Sequence, residues 1–112
     1  MNNQYKKGVV ELCILSLLSR SDSYGYDVAD TLTRHMELSD GAVYPILRKL
    51  KDDGLVSTYL AEPSGGPPRK YYTLTQTGRK VYEAEKKDWL AFVRTIEKIL
   101  EDDGHEPKNL SE

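Results

Sequence analysis

A chain of 112 residues with 30% charged side chains and a formal net charge of −2 has the length of one small domain. Its single cysteine, Cys13, excludes an internal disulfide. The near balance of 16 basic against 18 acidic residues excludes a global pull toward nucleic acid. Locally the charges separate. Residues 21–43 hold Asp22, Asp27, Asp30, Glu37 and Asp40 against Arg34, whereas residues 44–72 hold Arg48, Lys49, Lys51, Arg69 and Lys70 against Asp52, Asp53 and Glu62. The first 20 residues hold Lys6, Lys7 and Arg20 against Glu11. A negative total thus hides two modestly basic segments.

The first predicted helix covers residues 4–19. It is apolar on nearly all sides from Val9 to Leu18, so it must be covered on all sides, by a partner chain if not by its own. The run "VVELCILSLL" is interrupted by Glu11 and Ser16 and is too short to span a membrane. No small-residue cleavage site follows it. The expectation is a buried helix in a cytoplasmic protein that makes no membrane contact, with Cys13 a small buried hydrophobe. "SRSDS" breaks the helix. A second helix opens at Ser23 or Tyr24 and ends near His35, with Tyr26, Val28 or Ala29, and Leu32 turned inward.

The third helix is predicted from about Asp40 to Asp53, with Ser39 and Asp40 as N-cap candidates and Gly54 as the terminating glycine. Val43, Ile46, Leu47 and Leu50 recur at helical steps and face the core. Gly41, Tyr44, Pro45, Arg48 and Lys51 or Asp52 face out. A proline in a helix removes a donor, but the cost shrinks if the regular helix begins at Gly41 or Ala42. "LVSTYLA" and "RKYYTLT" are strand-like runs bracketing "EPSGGPP", a hairpin longer than the tight two-residue type. Thr75 caps a long last helix, about 76–101. The acidic end, residues 102–112, has the composition of a disordered tail.

Helix, helix, helix, hairpin and long helix is the layout of a winged helix-turn-helix. The fold class expected is mainly α with a two-stranded β-wing (α+β). Residues 1–75 form the DNA-binding domain and residues 76–101 a C-terminal dimerisation helix. The third helix is then the groove reader. Its N-terminus offers N–H groups and a positive partial charge to phosphate oxygens. Candidate DNA contacts are Lys6, Ser39, Asp40, Gly41, Ala42, Tyr44, Pro45, Arg48 and Lys49, with Arg69 and Lys70 on the wing. In the last helix Trp89, Phe92, Ile96 and Ile99 fall at steps of three and four, a coiled-coil-like seam. Leu90, Val93 and Leu100 widen it. The expected cover is the same helix or the first helix, through Leu12, of a second copy. His35 and His105 have no neighbouring ligand set, and no phosphate loop or catalytic triad is present. No enzyme activity, cofactor or metal is expected.

"YGYDV", "GAVYPILRKLKDDGLV" and "RKYYTLTQTG" together resemble the PadR family of bacterial transcriptional regulators, over about residues 5–100. The resemblance implies a homodimeric repressor of a pseudo-palindromic double-stranded operator. The length resembles the short branch of the family, typified by a lactococcal multidrug-sensing repressor. There a tryptophan on the last helix, paired across the dimer axis, stacks planar drugs. Trp89 stands at the matching point. The likeness implies further lining by Tyr5, Leu12, Ser16, Glu85, Phe92 and Val93, and a planar hydrophobic effector. Pro67 and Pro68 depart from the arginine-richer wing tips of the family, and Phe92 and Val93 are bulkier than the relative's lining. The competing reading is an adaptor dimer whose winged helix binds protein and not DNA.

Overall fold

The computed structural model describes residues 3–62 and 65–102. The elements in chain order are α1 (Asn3–Arg20), β1 (Ser23–Tyr24), α2 (Gly25–His35), α3 (Asp40–Asp52), β2 (Val56–Ala61), β3 (Arg69–Leu74) and α4 (Gln76–Asp102). The expected tail, beyond Asp102, lies outside the described residues, as do Pro63 and Ser64 of the wing loop. The mainly α chain with its β-wing is as the residue pattern predicts. The sheet has one strand more than the predicted two, in the order β1-β3-β2, all antiparallel. The extra strand is only Ser23–Tyr24, too short to announce itself by alternation.

The core is built from helical steps of three and four. α1 contributes Val10, Ile14, Leu15 and Leu18, α2 Val28, Ala29 and Leu32, and α3 Val43, Leu47 and Leu50. Val56, Tyr72 and Tyr82 close it. Leu12, Cys13, Leu17 and Ile46 pack against this core while only partly buried. Tyr26 departs from the expected inward face of α2 and is 58% exposed. Gly25, Val28, Ala29 and Leu32 make the buried stripe, and Tyr26 falls outside it. Its ring turns instead toward that of Tyr24, 6.0 Å between centroids.

α3 ends as its glycine predicts. Gly54 has φ +77, a conformation that costs a glycine little. The Gly54 N–H bonds to the Lys51 carbonyl and the Leu55 N–H to the Leu50 carbonyl, both at 3.0 Å. This is the paired closure that satisfies the last carbonyls of a helix. The same corner starts α4. The Thr75 hydroxyl accepts from the Gly78 N–H at 2.9 Å and donates to the Gly54 carbonyl at 2.7 Å. The Thr75 N–H donates to the Leu55 carbonyl at 3.1 Å. One side chain therefore caps α4 and ties it to the end of α3. Gly78 admits that approach, since a Cβ there would run into the Leu55 carbonyl.

The chain divides into a compact body through Tyr82 and a second unit from Glu83. The body thus extends past the boundary expected at residue 75. The reason is Tyr82, which is buried and donates its hydroxyl to Ser16 Oγ at 3.2 Å. Beyond it α4 continues as a helix whose large apolar side chains are exposed.

Candidate nucleic-acid interface

α3 separates its two faces cleanly. Val43, Leu47 and Leu50 are buried, while Gly41, Tyr44, Pro45 and Arg48 lie on the exposed side. Ala42 is half-buried. Pro45 is not where a first-turn reading would put it. The helix begins at Asp40, so Pro45 is its sixth residue. The N–H it lacks is the one that would have bonded the Gly41 carbonyl. Gly41 is exposed, so water can serve that oxygen. Ser39 occupies the N-cap position with extended backbone, φ −85 and ψ 156, but its hydroxyl makes no capping bond. The Ala42 N–H bonds instead to the Ser39 carbonyl at 3.0 Å. Among the described residues the Ser39 hydroxyl makes no hydrogen bond, and it stands beside the unused backbone donors of the helix start.

The two expected cations of α3 part company. Arg48 is exposed and makes no ion pair among the described residues. Its charge reaches Tyr72, opposing the upward push that burial gives that phenol. Lys49 turns toward α1. Its ammonium lies 3.0 Å from Asp53 and 3.6 Å from Glu11. Hydrogen bonding to Asp53, then the charge of Glu11, holds its pKa up. Asp53, one helical turn on, and Glu11, facing it from α1, thus engage the Lys49 ammonium, whose side chain stays 47% exposed.

On the wing, Arg69 and Lys70 open β3 and are exposed. Lys70 makes no ion pair among the described residues. The Arg69 guanidinium lies over the Tyr24 ring, 4.7 Å from its centroid. The side chains of Tyr5, Lys6 and Asp40, expected in the two sites, lie outside the described residues.

Of the other expected residues, Leu12 and Ser16 are half-buried on α1. Ser16 holds Tyr82 and edges an open cleft of about 320 Å³ between α1 and α2. Cys13 lines that cleft instead of being fully buried, and desolvation pushes its thiol pKa up. On the outer part of α4, Trp89, Phe92, Ile96 and Ile99 are 39 to 57% exposed. The Trp89 and Phe92 rings lie 6.1 Å apart. Glu85 is exposed and Val93 half-buried.

Sequence reading missed Asp22, Tyr24 and Tyr59. The Tyr59 hydroxyl donates to the Asp22 carboxylate at 2.7 Å. The signal was present: Tyr59 and Tyr71 each stand at alternate positions of strand-like runs, hence on one face of a hairpin. Among the described residues no group of three or more His, Cys, Asp and Glu side chains could hold a metal ion. Among them too, no helix is long and apolar enough to cross a membrane.

A three-helix body carrying a β-wing, with a cationic outer face on its third helix, defines a winged-helix regulator of transcription. The sequence model of the PadR-like transcriptional regulator family matches residues 14–84, and the chain belongs to that family. Its fold is similar to that of a PadR-like transcriptional regulator from Bacillus cereus, 35% identical, with a TM-score of 0.80 over 88% of this chain and 97% of that one. A PadR family regulator from Clostridium difficile is 30% identical, with a TM-score of 0.74 over 81% of this chain and 97% of that one. The negative transcriptional regulator PadR of Bacillus subtilis is 28% identical over 85% of this chain. The chain spans about half of that relative's length, 52%. These proteins are transcriptional regulators and not enzymes.

Proposed function

We propose that this protein is a homodimeric repressor that binds a pseudo-palindromic operator with α3 in the major groove. The observation that carries the reading is the outer face of α3. There Arg48 makes no ion pair among the described residues and shares the exposed side with Pro45, Tyr44 and Gly41, while Val43, Leu47 and Leu50 on the opposite face are buried. The free Ser39 hydroxyl and the helix N-terminus support phosphate contact at one end. Lys70 and Arg69 support a second, sequence-independent contact from the wing. Two copies related by a two-fold axis would set their readers in successive major grooves, about 34 Å apart. The exposed seam of Trp89, Phe92, Ile96 and Ile99 supports a second copy as its cover. The negative regulator of Bacillus subtilis favours repression over activation.

The test is duplex binding to the protein's own upstream region across a salt series. Arg48→Ala weakens binding and flattens the log–log salt slope by about one unit, while folding is kept. Unchanged affinity at matched salt removes Arg48 from the interface.

The effector reading rests on the Trp89–Phe92 pair, whose rings leave apolar surface open. A planar hydrophobic molecule stacked between two Trp89 rings would relieve repression, provided it binds one dimer geometry better than the other. Leu12, Ser16, Glu85 and Val93 would complete that lining, with Tyr5. Because Trp89 is the single tryptophan, quenching of its fluorescence by planar aromatic dyes tests this directly. Absence of quenching would leave Trp89 as plain seam.

A further inference from the structure

One face of the sheet carries no core residue. Tyr59 of β2 stands directly opposite Tyr71 of β3, and Tyr24 of β1 stands opposite Tyr71 on the other side. The three rings form a row. Tyr24 and Tyr71 are 6.0 Å apart, and Tyr71 and Tyr59 are 5.7 Å apart and nearly parallel. Polar ties secure both ends. Asp22, just before β1, reaches across β3 and accepts from the Tyr59 hydroxyl at 2.7 Å. At the other end the Arg69 guanidinium sits over Tyr24.

The placement of these ties is the point. β1 has only two ladder positions. Tyr24 is also the N-cap residue of α2, the first helix of the helix-turn-helix. The ties therefore fasten the hairpin to the entry of the reading unit and not to the hydrophobic core. The core is held from the opposite face of β3, through buried Tyr72. Hydrogen bonds this exposed contribute little to global stability, so their consequence is local. We propose that Asp22, Tyr59 and Tyr24 are positioning residues for DNA binding. They fix the angle of the wing, and with it Arg69 and Lys70, relative to α3. This rests on the DNA-binding reading above. Released from Asp22, the hairpin tip would sample more directions, and each phosphate contact would have to order it first.

The test uses the full chain, with its upstream region and an unrelated duplex, at several salt concentrations. Tyr59→Phe keeps the ring and removes only the hydroxyl. Its affinity falls about three- to tenfold for both duplexes, the range of one lost hydrogen bond. The salt slope stays that of the parent, because no cation has been removed. Asp22→Ala gives the sharper result. Deleting an acidic side chain should by charge alone tighten DNA binding; positioning requires that it weaken. Parent-like affinity in Tyr59→Phe, or tighter binding in Asp22→Ala, overturns the proposal. So does a lowered melting temperature with unchanged affinity, which would make the bond merely structural. Arg48→Ala is run beside them. If it weakens binding and Tyr59→Phe does not, the positioning role alone falls. If the parent binds neither duplex, the DNA-binding reading falls and takes this one with it.

Discussion

α3 and the outer part of α4 have the same grammar and opposite surroundings. Each repeats large apolar residues at steps of three and four. In α3 those residues, Val43, Leu47 and Leu50, are at most 1% exposed. In α4 beyond Tyr82 the corresponding stripe, Trp89 to Leu100, is open. Apolar spacing states that a face is to be covered. It does not state by what. For α3 the cover is local, because α1, α2 and the wing converge on it. For the outer part of α4 the cover we propose is a second copy of the chain.

The difference sets the order of mutational effects. Leu47→Ala empties a fully buried site and should destabilise the body by about 2–5 kcal/mol, read by denaturant unfolding. Trp89→Ala should leave the body folded and act on self-association. A loss of ~2 kcal/mol or more in dimer dissociation, by sedimentation across concentrations, is expected of a central aromatic anchor. An equal loss in unfolding of the isolated monomer would break the comparison, since Trp89 would then be intramolecular core. Thr75→Ala addresses the corner where α4 starts. It removes the cap and the tie to Gly54, and should cost about 1 kcal/mol.

The smallest effect concerns pH. Hydroxyls from Thr73 and Tyr59 lower the Asp22 pKa below its ordinary 3.8. Its contribution is therefore present above that value and lost as pH falls through the depressed one. The Asp22 bond raises Tyr59 above its ordinary 10.0. That contribution is present below 10.0 and lost as pH rises through the raised value. Both windows predict a flat dependence between them. Spectrophotometric titration of tyrosinate should show one late phenol missing in Asp22→Ala.

Much of the fold was legible because its signals are local. Gly54 and Thr75 mark helix ends by backbone chemistry that operates within a few residues. The outward face of α3 follows from its own period. What escaped was set by tertiary contact. Tyr26 looked apolar enough for the core, but Gly25 took the buried position. Lys49 looked like a free cation until Glu11, 38 positions earlier, came within 3.6 Å of it. β1 exists because β3 needs an edge partner, and no two-residue strand announces itself in sequence. The aromatic row required knowing the register of three strands at once.

The missing rung at Pro45 gives α3 an uneven stiffness. Its opening turn is joined to the rest of the helix by one bond fewer on the exposed side, while Val43 and Leu47 hold the inner side in place. Along the edge that faces away from the core the helix is held by one hydrogen bond fewer than along the edge that faces in. The anchoring of its opening turn therefore comes from the side chains beneath it more than from the ladder above.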